Sequence, residues 1–357
     1  MIADQELVWT SSFEMADMAA KRPMAARTKF RMASHSKLFT ATAIMQLREQ
    51  GKVRLDDPVV KYLPWFQVKA AAPEDPAITV EDLSTHASGL PREAGSHWST
   101  LEFPTGAELK NLVPERQAAF SPEVRWKYSN LAYSLAGMIV EAASGETWAD
   151  YVQKHIFDPL GMTASSVDKP VSGLAVGYGR RMPDGSREVM PFVDARGMAA
   201  ATGITSTVED MAKFVSAQFL RGKILSTGSL REMHRVWMME STWTNGYAIG
   251  FSVKREKDKI YVGHGGSYPG YLTQTYFMPE SKVGVVVLTH AADANPGEIA
   301  MQLLASVGDA VAKDRAPKLK TVPWDPSWSR FAQPRPVAAW LARSFGPRYD
   351  WPLSTDW

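Results

Sequence analysis

A serine and a lysine three positions apart, Ser34 and Lys37, stand near the start of the helical pattern ASHSKLFTATAIMQLREQ, which begins at residue 33. Positions i and i+3 of a helix lie on the same face, so the two side chains are predicted to be neighbours. A serine hydroxyl is a weak nucleophile until a neighbouring group takes its proton, and Lys37 is placed for that role. The alternative is an ordinary N-cap serine beside a solvated lysine. His35 and Ser36, between the two, are expected to be spacers without chemistry.

A second polar cluster, Tyr128-Ser129-Asn130, directly precedes the clearest helical pattern in the chain, at 129–145. A cationic lysine close to a phenol favours its ionised form, so the sequence predicts a lowered pKa for Tyr128 and a general base there. Asn130 offers both a donor and an acceptor to an amide-bearing substrate. The alternative is a core tyrosine followed by N-cap residues.

A third motif, His264-Gly265-Gly266, ends a predicted strand and leads into a turn. Glycines, which lack a Cβ, would let a ligand approach the edge of that strand closely. His264 would supply a hydrogen-bond donor or a positive charge at the same place. The alternative is a turn that happens to contain a histidine.

The elements that must position these motifs follow from the hydrophobic pattern. The first helix is predicted over 35–50, with Gly51 as its C-terminal glycine. Further helices are predicted over 129–145, 147–161 (stopped by Pro159 and Gly161), 207–222 (capped by Thr207) and 297–311. Short β-rich segments separated by turns predict an antiparallel meander between about 246 and 290.

The composition excludes several classes of function. The 357 residues include no cysteine, which excludes disulfides, thiol nucleophiles and cysteine-ligated zinc. With 40 Lys plus Arg against 38 Asp plus Glu, the net charge of +2 gives no basic footprint for nucleic acid. His86, in STHASG, is expected to be a structural hydrogen-bonding residue rather than a metal ligand.

The start of the sequence, MIADQELVWT, lacks the basic and apolar regions of a signal peptide. No stretch approaches ~18 uninterrupted apolar residues, so no membrane span is predicted. We therefore expect a soluble cytoplasmic chain, whereas a trimmed N-terminus would allow a periplasmic or secreted one.

In this order and local context, Ser-x-x-Lys, Tyr-Ser-Asn and His-Gly-Gly resemble the motifs of serine hydrolases of the class C β-lactamase and penicillin-binding-protein type. That group includes D-Ala-D-Ala carboxypeptidases, D-aminopeptidases and family VIII esterases. Segments such as ITVEDLSTHASGLP (78–91), IFDPLGMTAS (156–165) and ATGITSTVEDMAKF (201–214) extend the resemblance.

The resemblance implies an α+β fold of the β-lactamase/transpeptidase-like kind, in which helices flank an antiparallel sheet and a mainly helical domain is inserted. The implied sheet domain covers 1–50 and 205–315, and the implied helical domain covers 51–204. An extended Pro/Trp-rich C-terminal tail is predicted for 316–357. The segment before QELVW is shorter than in such proteins, which predicts a shortened strand in the central sheet.

The resemblance also implies catalytic roles. Ser34 would be the acylated nucleophile, with Lys37 and Tyr128 sharing the acid and base work in an order that the sequence leaves open. Asn130 would orient the acyl side chain of the substrate. No cofactor or metal is implied.

The third motif would bind the substrate. His264 would hold Tyr128 or a substrate carboxylate, and Gly265 and Gly266 would line the substrate-binding strand edge. The backbone N–H groups of Ser34 and Ser267 would form the oxyanion hole. The expected partner is a small-molecule ester, amide or peptide, with no nucleic acid and no membrane span; the oligomeric state is left open.

Two departures from the resemblance bear on the substrate. His264 stands where true class C β-lactamases carry the lysine of Lys-Thr-Gly, and a histidine with a pKa near ~6.5 is mostly neutral at pH 7. His290 replaces an asparagine that can help hold a carboxylate. Both departures favour an esterase or a peptidase over a β-lactamase. Between these two, we favour a carboxylesterase that acts on short-chain esters through an acyl-enzyme, because acyl transfer from an ester is chemically the least demanding. The alternatives are a D-Ala-D-Ala carboxypeptidase or D-aminopeptidase, a weak β-lactamase and, from another class, a catalytically silent β-lactamase-like binding protein.

Overall fold

Fifteen β-strands and twelve α-helices are assigned in the part of the chain that the computed structural model describes, residues 1–167, 170–219 and 223–315. The strands are β1 (Ile2–Ala3), β2 (Glu6–Leu7), β3 (Met15–Asp17), β4 (Arg22–Pro23), β5 (Phe30–Arg31), β6 (Ser166–Val167), β7 (Tyr178–Arg181), β8 (Arg187–Val189), β9 (Ile204–Ser206), β10 (Met238–Met239), β11 (Asn245–Tyr247), β12 (Ser252–Glu256), β13 (Lys259–Tyr268), β14 (Tyr271–Met278) and β15 (Val283–Thr289).

The helices are α1 (Ser36–Glu49), α2 (Val80–Thr85), α3 (His97–Thr100), α4 (Gly106–Leu112), α5 (Asn130–Ser144), α6 (Trp148–Val152), α7 (Asp158–Leu160), α8 (Ala199–Thr202), α9 (Val208–Ala217), α10 (Thr227–His234), α11 (Pro296–Leu303) and α12 (Asp309–Arg315). Short 3-10 turns occur at Ala33–His35, Val59–Lys61, Val113–Glu115 and Arg196–Met198. Two π-helical turns, Gln153–Phe157 and Leu304–Gly308, join α6 to α7 and α11 to α12.

An eight-stranded antiparallel sheet has the strand order β10-β11-β12-β13-β14-β15-β1-β2. The predicted meander forms its centre, and β13 and β14 are joined through Pro269 and Gly270. Gly270 has a φ of +80°, which a glycine adopts without steric cost. At the far side, β1 pairs with β15 only at Val283 and Gly284, so the predicted shortened strand is present.

Helix α1 lies in the core, because every residue from Ser36 to Leu47 is buried. It packs against α5 and α8. The Ser129 side chain caps α5 by accepting a hydrogen bond from the N–H of Ala132 (2.9 Å), and Gly145 ends the helix with a φ of +78°. These contacts hold the first turns of α1 and α5, which carry two of the predicted motifs, at fixed positions in the core.

The other predicted helices are confirmed with adjusted ends. Thr207 caps α9 by accepting from the N–H of Asp210, as expected. Pro159 does not stop the helix predicted at 147–161, because α7 continues through it to Leu160 and Gly161 follows with a φ of +65°. The C-terminal helix, predicted over 297–311, runs through α11 and α12 to Arg315.

The architecture is of the α+β class, as predicted. Residues Met1–Arg315 form one compact unit. The division of this unit into a sheet domain at 1–50 and 205–315 and a helical domain at 51–204 stays a prediction. The tail predicted for 316–357 lies outside the described residues.

Candidate active site

Ser34 lies in the 3-10 turn Ala33–His35 that leads into α1, and Lys37 is the second residue of α1. Ala33 is buried and has a φ of +50°, a left-handed conformation that is uncommon for a residue with a Cβ. Such a conformation costs on the order of 1–3 kcal/mol and persists only where the surroundings fix it. The strained residue therefore directly precedes the predicted nucleophile.

The two residues between Ser34 and Lys37 fix this turn, so their assignment as spacers was wrong. Ser36 Oγ donates to the carbonyl oxygen of Ala33 (2.8 Å) and accepts from the N–H of Ile204 (3.0 Å). The His35 ring lies 2.9 Å, through Nε2, from Thr275 Oγ1 of β14. The turn is thereby tied to β9 and to the large sheet.

Lys37 is fully buried, and its side-chain nitrogen lies within hydrogen-bond distance of three oxygen atoms. Its Nζ lies 3.2 Å from Ser34 Oγ, 2.7 Å from Asn130 Oδ1 and 3.0 Å from the carbonyl oxygen of Ala201. Burial holds the pKa of Lys37 well below its ordinary value, against the opposing charge of Glu93. A lysine with a lowered pKa is able to act as a base.

The phenol of Tyr128 donates to Ser34 Oγ at 2.8 Å, so the structure brings the first two motifs together. Its ring lies between His86, with ring centroids 4.4 Å apart, and the guanidinium of Arg92, 4.9 Å from the ring centroid. Burial raises the pKa of Tyr128 above its ordinary value. The prediction of a lowered pKa was therefore wrong, because desolvation of the phenolate outweighs the nearby cations.

Asn130 contacts Lys37 through Oδ1, and its Nδ2 donates to Glu93 Oε1. Glu93 was not predicted from the sequence, because an acidic residue in a loop has no spacing signal that distinguishes it from a solvated one. The loop is held against α5 by the carbonyl oxygen of Arg92, which accepts from the N–H of Asn130 (2.9 Å).

His264 is buried and lies close to the site. Both of its ring nitrogens have hydrogen-bond partners other than Tyr128. Its Nε2 is 3.1 Å from the Tyr247 hydroxyl, and its Nδ1 is 2.6 Å from the carbonyl oxygen of Gly265. Its ring centroid is 6.3 Å from that of Tyr128. Burial lowers the pKa of His264 to about 3, so the ring is neutral near pH 7. The neutral ring agrees with the expectation that a histidine here is mostly uncharged at pH 7. Its role as a hydrogen-bonding group for a substrate carboxylate stays a prediction.

The strand edge beside the nucleophile is formed by the end of β13. Strand β12 pairs with β13 only as far as Gly263, whereas β14 pairs with β13 from Val262 to Tyr268. Gly265, Gly266 and the exposed Ser267 thus lie on a segment that pairs on one side only. The role of the Ser34 and Ser267 N–H groups as an oxyanion hole stays a prediction.

The lack of a side chain at Gly266 serves packing against the nucleophile turn. A Cβ at this position would come within 2.3 Å of the Met32 carbonyl oxygen and 2.3 Å of Thr273 Oγ1. At Gly265 the nearest atom would be the side-chain Oε1 of Gln274, at 2.9 Å. Gly266 therefore allows the turn that carries Ser34 to lie directly against β13.

The two other histidines singled out from the sequence bond to backbone groups. His86 Nδ1 accepts from the N–H of Ser129 (3.2 Å), in keeping with the structural role expected for it. His290 Nδ1 lies 2.7 Å from the carbonyl oxygen of Val176 and contacts no motif residue. Trp126 lines a cavity of about 240 Å³ together with Tyr128 and His264.

Within the described ranges, no three His, Cys, Asp or Glu side chains are grouped so that they could hold a metal ion. In the same part of the chain, no helix has the length and apolar character needed to cross a membrane.

Comparison with known proteins identifies the family. The Beta-lactamase family profile matches residues 1–308, so the chain belongs to the beta-lactamase family. The octameric penicillin-binding protein homologue from Pyrococcus abyssi is 30% identical and superposes with a TM-score of 0.77 over 86% of this chain and 72% of its own. The predicted family and the β-lactamase/transpeptidase-like fold are thereby confirmed.

Two curated relatives differ in the activity that their names give. Penicillin-binding protein 4* from Bacillus subtilis (strain 168) is 28% identical over 288 residues, which are 75% of this chain and 62% of that protein. Esterase EstB from Burkholderia gladioli is 34% identical over 169 residues, 44% of this chain and 43% of that protein. The chain thus spans less than two thirds of the length of either relative.

Proposed function

We propose that the chain is a serine hydrolase that works through an acyl-enzyme at Ser34, and that it acts as a carboxylesterase on short-chain esters. The observation that carries this proposal is the placement of Ser34 Oγ 3.2 Å from Lys37 Nζ and 2.8 Å from the Tyr128 hydroxyl. A hydroxyl between a buried amine and a phenol has both a proton acceptor and a proton donor within reach.

The hydrogen bonds around Lys37 are satisfied by its neutral form. A neutral amine donates two N–H bonds, for which Asn130 Oδ1 and the carbonyl oxygen of Ala201 are the acceptors. Its lone pair then accepts the proton of Ser34, while Tyr128 donates to Ser34 Oγ. The lowered pKa of Lys37 and the raised pKa of Tyr128 both support this arrangement. We therefore assign Lys37 as the first base and Tyr128 as the acid.

In the first step, Ser34 Oγ forms a bond to the ester carbonyl carbon while the serine proton passes to Lys37. The bond from that carbon to the alcohol oxygen then breaks, and Tyr128 gives its proton to the leaving oxygen. Tyr128 regains a proton from the Lys37 ammonium, so the net transfer is the serine proton to the alcohol. Water then hydrolyses the acyl-enzyme by the reverse path. Tyr128 passes its proton to Lys37, the phenolate takes a proton from the attacking water, and the Lys37 ammonium gives its proton to Ser34 Oγ as the bond from Ser34 to the acyl carbon breaks.

The N–H groups of Ser34 and Ser267 are proposed to bind the developing oxyanion. Ser34 stands at the N-terminus of α1, where the helix dipole favours negative charge. Removal of one such donor typically lowers kcat on the order of 100- to 1,000-fold.

The neutral His264 supports an ester over a substrate that carries a free carboxylate. A lysine at this strand position would be a cation, whereas His264 with a pKa of about 3 supplies no charge near pH 7. The likeness to Esterase EstB points to the same class, while the likeness to penicillin-binding protein 4* keeps the peptidase as the second candidate.

The test is a side-by-side measurement of kcat/KM. The substrates are p-nitrophenyl acetate and butyrate, nitrocefin, a D-Ala-D-Ala peptide and D-alanine p-nitroanilide. We expect the highest value with an ester. A far higher value for nitrocefin, the peptide or the anilide would contradict the esterase assignment while leaving the acyl-enzyme mechanism in place.

A further inference from the structure

Glu93 is a carboxylate that lies directly behind the proposed catalytic residues and that the mechanism above does not use. Its side chain is only 11% exposed. Its Oε1 accepts from Asn130 Nδ2 and from the indole N–H of Trp98 (2.7 Å), and its Oε2 lies 3.0 Å from His97 Nε2. The carboxylate is therefore held from three sides.

The backbone on either side of Glu93 is fixed as well. The carbonyl oxygen of Arg92 accepts from the N–H groups of Asn130 (2.9 Å) and Leu131 (3.2 Å), the first residues of α5. The carbonyl oxygen of Pro91 accepts from Ser129 Oγ (2.7 Å). These bonds join the loop to the same helix end that carries Asn130, so the distance from Glu93 to Asn130 is set by the fold.

An asparagine amide has two orientations of nearly equal shape, which differ in whether oxygen or nitrogen faces a given neighbour. Lys37 is a donor and requires the amide oxygen, whereas the Glu93 carboxylate accepts and requires the amide N–H. Both requirements are met only in the orientation observed, with Oδ1 2.7 Å from Lys37 Nζ. In the flipped orientation, donor would face donor at Lys37 and acceptor would face acceptor at Glu93.

We propose that Glu93 is a positioning residue for the Ser34 hydrolase: it fixes the Asn130 amide so that the amide oxygen faces Lys37. This inference rests on the proposed function, because it assigns Lys37 as the base that Asn130 orients.

The charge of Glu93 also acts on the pKa of Lys37, with a definite sign. Burial lowers the pKa of Lys37, Glu93 raises it and Arg92 lowers it. The other titratable groups around Lys37 carry no negative charge near pH 7, because burial keeps the phenols protonated and the histidines neutral. These groups are Tyr128, Tyr133, His86 and His264. Loss of the Glu93 charge is therefore expected to lower the pKa of Lys37 further.

The experiment compares Glu93→Gln and Glu93→Ala in the full chain by the pH dependence of kcat/KM for p-nitrophenyl butyrate. Glu93→Gln keeps an acceptor for Asn130 but removes the charge, so the acidic limb of the profile moves to lower pH. Glu93→Ala removes both, so the limb moves in the same direction and kcat falls by at least about tenfold, a larger loss than for Glu93→Gln. Glu102→Gln, at an exposed position just after α3, is the matched control and keeps the wild-type profile.

Two results overturn the inference. One is an acidic limb that stays in place in Glu93→Gln. The other is a folded Glu93→Ala variant with kcat within twofold of wild type. A Glu93→Gln variant that has a lowered Tm but an unmoved acidic limb also overturns the inference. A wild-type chain that forms no acyl-enzyme contradicts the proposed function itself, whereas an active wild type with an unmoved limb contradicts the Glu93 role alone.

Discussion

Gly266 in strand β13 and Met32 before the nucleophile turn approach so closely that a Cβ at position 266 would lie 2.3 Å from the Met32 carbonyl oxygen. No ordinary Cβ contact is that short, so any side chain at 266 must push the turn away from the sheet. The position of Ser34 therefore depends on the absence of a side chain at Gly266, which is distant from Ser34 in the sequence.

We therefore expect Gly266→Ala to impair catalysis and folding together. The inserted methyl group would cost about 1–3 kcal/mol through overpacking, and a displacement of the turn by about 1 Å would lower the acylation rate on the order of 100-fold. Gly228→Ala in α10 is the matched control, because its Cβ would meet only Ser226 Oγ, at an ordinary contact distance of 3.8 Å. Burst kinetics and thermal unfolding measure the two effects. Equal behaviour of the two variants would mean that the close approach has no role.

Tyr128→Phe is expected to lower kcat for ester hydrolysis by about 100- to 10,000-fold, because the phenol is the proposed acid at 2.8 Å from Ser34 Oγ. The Tm should change little, since the ring stays packed against His86 and Arg92. Tyr133→Phe, in the helix α5 that follows Tyr128, is the control: its hydroxyl donates to the carbonyl oxygen of Ser84. A kcat for Tyr128→Phe close to that of Tyr133→Phe would remove the acid role.

His264→Lys is expected to change selectivity. The substitution places a cation where the native ring is neutral, with a pKa of about 3. A charged hydrogen bond contributes about 1.5–3 kcal/mol, so kcat/KM for nitrocefin relative to p-nitrophenyl butyrate should rise tenfold or more. If the ratio stays at its wild-type value, the charge at this position does not decide between the two substrates. Thermal unfolding of the variant controls for the burial of the new lysine.

Stability should fall in mild acid. Burial lowers the pKa of His35 and His234 to about 4, of His264 to about 3, and of His86 well below 6.5. In the unfolded chain these rings bind protons below pH ~6.5. Below that pH the unfolded state therefore binds more protons than the native state, which lowers the free energy of unfolding. Stability is thus fully present above ~6.5 and is lost as the pH falls toward 4, by up to about 1.4 kcal/mol per pH unit for each histidine.

Urea unfolding midpoints between about pH 7.5 and 4.5 measure this dependence. His234→Gln removes one of the four histidines and should reduce the slope of stability against pH. The His234 ring contacts Gln218 and Phe251 rather than the residues around Ser34. A midpoint that does not change across this range would contradict the neutral, buried state of these histidines.

The sequence predicted which residues the structure brings together around Ser34, because their spacing signals are local. Ser34 and Lys37 are joined by helical spacing, and Tyr128 and Asn130 by a helix start, so their types and order were sufficient. The pKa of Tyr128 was predicted with the wrong sign, because it depends on burial by residues distant in the chain. Glu93 was missed for the same reason: only the folded loop brings its carboxylate to Asn130.

The sheet and helices were predicted for a similar reason. The meander between 246 and 290 and the helix at 129–145 have clear periodicity and end at turn or cap residues. The structural roles of His35 and Ser36 were not predictable, since both depend on partners in β9 and β14. What a polar residue does inside a core depends on which distant groups the fold places beside it.

The central claim is that Ser34 becomes acylated. The most direct measurement is peptide mass spectrometry after incubation with a fluorophosphonate probe and, separately, with p-nitrophenyl butyrate quenched in acid. Our account predicts one adduct, on the peptide that contains Ser34, and its loss in Ser34→Ala while Tyr133→Phe still forms it. The absence of an adduct under all conditions, as a catalytically silent binding protein would give, or an adduct that persists in Ser34→Ala, would contradict it.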